Sequence, residues 1–159
     1  MEKVIIHKAD KNDLSEILNI QKIIFTEVAN KYNVKSLPQL KQTLEDVQKE
    51  FIHYLFLKAL IDDKIVGSVR AYANNKTCYI NKLIVLPNYQ NKSIGTKLMN
   101  EIEKQFIDEI HRYELFTGSL DTKNKYLYEK LGYTTFKKEK YNDEITFIYM
   151  EKSAQNYAQ

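Results

Sequence analysis

"LPNYQNKSIGTKLM", Leu86 to Met99, sets a proline, a run of short polar residues and a glycine in front of an apolar stripe. The chain has four glycines and two prolines in 159 residues, and this single stretch uses one of each. Upstream, "KTCYINKLIVL" (Lys76 to Leu86) is a run rich in β-formers. Downstream, Ile94, Leu98, Ile102 and Phe106 fall four apart, the stripe of a helix packed on a sheet and running to about Ile110. The stretch therefore reads as the connection from a strand to a crossover helix. Pro87 has no N–H to give a neighbouring strand, so the chain leaves the ladder there. The first helical turn then presents N–H groups that no intrahelical carbonyl can satisfy. Such a terminus attracts anions, particularly where small residues let a phosphate reach the backbone. Ser93 and Gly95 are small, and Lys92 and Lys97 add positive charge.

Two phosphate-loop patterns fail on the letters. A Walker loop needs a glycine five residues before Gly95 and a Lys-Ser or Lys-Thr after it, and neither is present. A dinucleotide fingerprint needs three glycines after the first strand. The plain alternative is a turn with Ser93 as N-cap and Gly95 admitting close helix packing.

Working outward, "VIIHK" (Val4 to Lys8) reads as a strand, and "ADKNDLSEILNIQKIIF" (Ala9 to Phe25) as a helix with Asp10 and Asp13 as capping candidates. Ser36 and Pro38 begin a second helix carrying Leu40, Leu44 and Val47 on one face. "YLFLKALID" (Tyr54 to Asp62) and "KIVGSVRAYAN" (Lys64 to Asn74) form a hairpin with a tight polar turn, and the Lys76 run completes a meander. After the crossover helix come a strand, "RYELFTG" (Arg112 to Gly118), and a short helix, "KNKYLYEKLGY" (Lys123 to Tyr133), ended by Gly132. A final hairpin turns at Tyr141 to Asp143. Strand, crossover and strand place Tyr79 to Leu86 parallel to Arg112 to Gly118. The expected fold class is α/β (α+β), a single domain over 1–152 with about seven strands and four helices, and residues 153–159 fray.

Charge is nearly balanced, 24 Lys and Arg against 21 Asp and Glu, which gives no reason to expect a nucleic-acid partner. Cys78 has no partner for a disulfide, and His7, His53 and His111 are scattered, so no metal site is expected. No apolar run has the length of a signal peptide or membrane span, which makes the cytoplasm the default and a membrane partner unexpected. A homodimer is left open.

"YINKLIVLPNYQNKSIGTKLMNEIE" resembles the acetyl-coenzyme A signature of the GNAT superfamily of N-acetyltransferases, whose loop follows [QR]-x-x-G-x-[GA]. Here that loop is Gln90, Asn91, Lys92, Ser93, Ile94, Gly95. "NKYLYEKLGY" resembles the same family's N…LYEKLGF block, and the resemblance covers about Gly67 to Lys152. It implies a mixed sheet with splayed central strands and acetyl-coenzyme A as cosubstrate. The pyrophosphate would sit on the loop between Gln90 and Thr96, with the N–H groups from Asn91 onward, and the pantetheine arm beside Leu83, Ile84 and Val85. An N–H near Leu83 or Ile84 would polarise the thioester carbonyl. Tyr128 would give a proton or hydrogen bond to the departing thiolate, and Asn124 would touch the cofactor. Ser93 stands where the family has glycine; the expectation is that the site needs smallness rather than positive φ.

The general base is not identified by the resemblance, because "CYINKLIV" carries Asn81 and Lys82 and no acid. Glu27, Glu50, His53 or a water chain could replace it, or the substrate arrives neutral. Arg70 and Tyr72, two apart on one strand face, are candidate acceptor-binding residues, Arg70 for a carboxylate; the alternative is a surface Arg in a cross-strand pair. The implied function is direct acetyl transfer from acetyl-coenzyme A to a primary amine of a small molecule. The alternatives are acetylation of a protein N-terminus or lysine, and an inactive acyl-coenzyme A sensing module.

Overall fold

The computed structural model describes residues 2–35 and 37–154. Its strands are β1 (Ile5–Lys8), β2 (Leu55–Ile61), β3 (Lys64–Asn74), β4 (Thr77–Val85), β5 (Arg112–Gly118), β6 (Thr134–Lys140) and β7 (Thr146–Ser153). The helices are α1 (Leu14–Lys31), α2 (Pro38–Lys41), α3 (Leu44–His53), α4 (Ile94–Phe106) and α5 (Thr122–Lys130). The strands form one mixed sheet in the order β1-β2-β3-β4-β5-β7-β6.

Local chemistry accounts for the boundaries. Asp10 and Asp13 bond reciprocally to each other's backbone N–H around a 3-10 turn that leads into α1. The single helix expected after Pro38 is two, because Gln42 is extended and Thr43 starts α3 with its own capping box to Asp46. Ser36, the other expected start signal, lies outside the described residues. Asp62 and Asp63, then Asn75 and Lys76, all take positive φ, the two-residue form whose twist matches paired strands. Helix α4 stops at Phe106, short of Ile110. Helix α5 ends as expected ahead of Gly132, which takes φ 102°. Ser153 still belongs to β7 and Ala154 is buried, its N–H bonded to the His111 carbonyl at 2.9 Å. The expected fraying therefore does not reach 153 or 154, and 155–159 lie outside the described residues.

The sheet is covered on both faces. Phe56 and Ile84 pack with Leu14, Ile17 and Val47 from α1 and α3, while the adjacent Leu57 and Leu83 pack with Leu98 and Ile102 of α4. Alternation along β2 and β4 thus feeds two cores.

Strand β4 is irregular on both of its edges. It pairs with β5 only at Thr77↔Arg112, Cys78↔Tyr113 and Tyr79↔Glu114, so the expected parallel pair forms at the start of the strand and then opens. Strand β5 instead stays paired with β7 along its length, from Arg112↔Ser153 to Gly118↔Phe147. On its other side, β4 pairs Ile84 with Ser68 and Asn81 with Arg70, which leaves Lys82 and Leu83 opposite Val69 alone. This is a β-bulge, and Lys82 sits in it at φ 53°. Gly67 permits the close approach of β3 just beyond the bulge, since a Cβ there would lie 2.8 Å from the Ile84 carbonyl oxygen.

Candidate functional site

The opening between β4 and β5 leads to two adjoining cavities. One, of about 610 Å³, runs along Leu83, Ile84 and Val85 to the start of α4, with α5 and α1 as walls. The other, of about 90 Å³, lies in the fork of the two strands. Val28, Leu83, Asp121 and Asn124 line both, so these residues mark the junction.

The larger groove contains the connection after β4. Gln90, Asn91, Ser93, Ile94, Gly95 and Thr96 all line it, and Lys92 does not; its ammonium points to Glu2, 3.5 Å away. Gln90 fixes the loop to its strand, donating through Nε2 to the Val85 carbonyl at 2.9 Å and accepting from Lys123 Nζ at 3.2 Å. The first intrahelical bond of α4 runs from Lys97 N–H to the Ser93 carbonyl, so Ile94, Gly95 and Thr96 keep N–H groups with no intrahelical acceptor. The Ser93 side chain does not cap them.

Ser93 has φ 66° and ψ 15°, in the left-handed region. This corrects the expectation that the position needs only smallness: the chain turns into the helix through positive φ, and serine bears a cost of about 1 kcal/mol that glycine would not. Asn91, at φ 63°, makes the other turn of the loop with a residue type that tolerates that region. Gly95 has ordinary φ. A Cβ there would meet Leu127 at 3.4 Å and Leu83 at 3.7 Å, so its small size lets α4 sit against α5 and β4. Lys31, Lys123 and Lys130 supply positive charge around the groove.

Tyr128 is buried in the wall of the smaller cavity. Among the described residues its hydroxyl has no hydrogen-bond partner, and burial with the neighbouring Asp121 charge pushes its pKa up, so it holds its proton. Asp121 caps α5: Oδ1 accepts from the Asn124 N–H at 3.2 Å and Oδ2 from Asn124 Nδ2 at 3.0 Å. Burial raises the Asp121 carboxyl above the ordinary value, against the lowering by Asn124, Lys31 and Lys123.

Arg70 and Tyr72 line neither cavity. Arg70 is wholly buried, which also rules out the surface cross-strand pair. Its Nη1 donates to Glu50 Oε1 and its Nη2 to Gln21 Oε1, both at 2.7 Å, and its guanidinium lies over the Phe56 ring. Gln42 closes the ring of side chains, donating to Glu50 Oε2 at 2.6 Å and accepting from Gln21 Nε2 at 2.8 Å. Gln21 Nε2 also holds the Gln39 carbonyl at 3.0 Å, and Gln39 is in the wall of the smaller cavity. Arg70 therefore braces the wall of the smaller cavity from behind. Tyr72 stacks between Tyr54 and Tyr79 at centroid distances of 4.6 and 5.1 Å.

Of the candidate bases, Glu50 is committed to the Arg70 ring, and Glu27 and His53 are exposed. None of the three lines the smaller cavity. Asp121 does, and sequence reasoning missed it; the signal was an Asp three residues ahead of Asn124 at a helix start. Lys82 lines this cavity too, its pKa lowered by burial and by the charge of Arg70.

The family model for the acetyltransferase (GNAT) domain matches residues 27–154. No curated protein matches the chain by sequence. Among solved structures, the chain is similar to the PaiA N-acetyltransferase from Thermoplasma acidophilum in complex with coenzyme A. The TM-score is 0.80 and the identity 20%, over 95% of this chain and 99% of that one. An aminoglycoside 6'-N-acetyltransferase complexed with coenzyme A gives a TM-score of 0.75 at 20% identity, over 94% and 97%. The ribosomal-protein-S18-alanine N-acetyltransferase from Escherichia coli gives 0.74 at 15%, over 96% and 94%.

Proposed function

Because the chain belongs to the GNAT acetyltransferase family and is an acyltransferase, we propose that it transfers the acetyl group of acetyl-coenzyme A directly to a primary amine of a small molecule. The observation that carries this reading is the pair of adjoining cavities, a long groove and a small pocket sharing Leu83, Asp121 and Asn124. The chemistry of the groove fits coenzyme A. The N–H groups of Ile94, Gly95 and Thr96 suit a pyrophosphate, and β4 beyond Tyr79 offers an unpaired backbone edge to an amide-bearing arm. Acetyl-coenzyme A supplies the thioester and the thiol leaving group.

The chain's own groups would divide the remaining work. The β4 N–H near Leu83 or Ile84 polarises the thioester carbonyl. Tyr128, protonated and with no hydrogen-bond partner for its hydroxyl among the described residues, gives its proton to the departing sulfur. Asp121, where the cavities meet, faces the incoming amine and takes its proton; burial makes it a stronger base than an exposed aspartate. A pocket of about 90 Å³ favours a small acceptor over an extended protein segment, which needs an open groove.

The test is calorimetric titration of coenzyme A followed by thiol release from acetyl-coenzyme A with a panel of small amines and a panel of peptides. Turnover of small amines supports the reading. Turnover of peptides alone would move the function to protein acetylation, and tight binding without turnover to an acyl-coenzyme A sensor.

A further inference from the structure

The smaller cavity holds a charge that acetyl transfer does not require. Lys82 lines it from the β4 bulge, half-buried and held at φ 53°. Among the described residues its ammonium has no hydrogen-bond or ion-pair partner, and the charges it feels are Arg70, which repels it, and Glu50. Glu50 cannot turn to it without leaving the ring, because Arg70 and Gln42 occupy its two oxygens. A partly desolvated ammonium beside a buried guanidinium is unfavourable unless an anion joins it.

Polarity along the cavity locates that anion. Asp121 lines both cavities and so lies at the junction, whereas Lys82 lines the smaller one alone. A single acceptor would therefore meet a carboxylate at its reacting end and an ammonium elsewhere. Phe25, Leu37, Phe116 and Ile145 make the rest of the wall largely apolar. We infer that the acceptor is a small amine that also bears a carboxylate, an amino acid or close analogue, with Lys82 binding the carboxylate and Asp121 facing the amine. The inference rests on the acetyl-transfer reading. A polycationic amine would bring further positive charge against Lys82 and Arg70. A phosphate would need more converging donors than one lysine offers.

The experiment compares matched acceptors, glycine, alanine, serine and threonine each beside its amide, by thiol release from acetyl-coenzyme A. An amide's amine loses its proton more readily than the acid's, so a preference for the acid comes from the protein. The acids should exceed their amides in kcat/KM by 10-fold or more. Lys82→Met should bring that ratio toward one by raising KM for the acids, and Lys82→Glu should reverse it. Calorimetry of alanine into protein saturated with coenzyme A should show binding that Lys82→Met loses. Amides equal to acids in the parent protein would overturn the inference, as would a Lys82→Met that lowers kcat equally on both, the mark of a proton acceptor. Coenzyme A binding with failure of acids and amides alike overturns this inference and leaves the transferase reading standing. Absence of coenzyme A binding overturns both.

Discussion

Arg70 Nη1 lies 2.7 Å from Glu50 Oε1 in an ion pair whose arginine has no exposed surface. The pair ties β3 to α3, and through Gln21 and Gln42 it reaches α1 and the wall of the smaller cavity. Removing one member of a buried pair strands the other's charge, which costs about 3 kcal/mol. Glu50→Ala should lower the unfolding free energy by about that amount in urea, measured by circular dichroism. Glu50→Gln, which keeps one acceptor oxygen for Arg70 but none for Gln42 Nε2, should lose less.

This network also shows what a sequence conceals. The parity of Arg70 and Tyr72 along β3 was legible, and so were about seven strands and the crossover, because periodicity and turn chemistry are local; the splayed centre came only from the family resemblance. The partners of Arg70 were not, since Gln21 and Glu50 lie 49 and 20 residues away. Lys82 and Asp121 escaped for different reasons. A bulge suspends the alternation that would assign a face to Lys82, and Asp121 reads as an ordinary N-cap until the cavity beside it is seen. The loop from Gln90 to Thr96 was found by motif, but only the backbone angles reveal that Ser93 is left-handed.

Ser93→Gly should therefore stabilise the protein. It removes the Cβ that makes φ 66° unfavourable and deletes no side-chain cap. The expected gain is about 1 kcal/mol, reduced by the extra freedom glycine has in the unfolded chain. A shift of the urea midpoint upward with an unchanged slope would show it, and the same variant should bind coenzyme A at least as tightly as the parent.

Gly95→Glu should do the opposite to the proposed cofactor groove. The new carboxylate would enter the groove beside the free N–H groups of Ile94, Gly95 and Thr96, against Leu127 and Leu83. Bulk and negative charge at an anion site should weaken coenzyme A binding by about 100-fold, an order of magnitude set by the loss of helix-terminus attraction and the gain of repulsion. Calorimetry with the parent as reference measures it; affinity unchanged would place the phosphates elsewhere.

Tyr128→Phe keeps the ring packing and removes only the hydroxyl, which has no hydrogen-bond partner among the described residues. Loss of the proposed proton donor should lower kcat by about 100-fold, near the lower end for general acids. The dissociation constant of coenzyme A should stay within about twofold, since uniform binding does not depend on that proton. Because burial raises the hydroxyl's pKa above 10.0, the parent should keep its activity up to higher pH than an ordinary tyrosine would allow.

As the proposed base, Asp121 should set the other side of the pH profile. Its carboxyl is raised above 3.8 by burial, more than Asn124, Lys31 and Lys123 lower it. A base with a raised pKa becomes protonated, and so useless for accepting the amine's proton, at a higher pH as the solution is acidified. The acid limb of kcat for the parent should therefore lie above the ordinary aspartate range. Asp121→Asn keeps one oxygen to cap the Asn124 N–H, so α5 should fold, but it removes the proton acceptor and should lower kcat by about 100-fold. It should also abolish the acid limb that belongs to this group. Asp121→Glu, which restores a carboxylate at a longer reach, should recover part of the rate together with the limb. A merely capping Asp121 would leave the profile of the asparagine variant parallel to that of the parent.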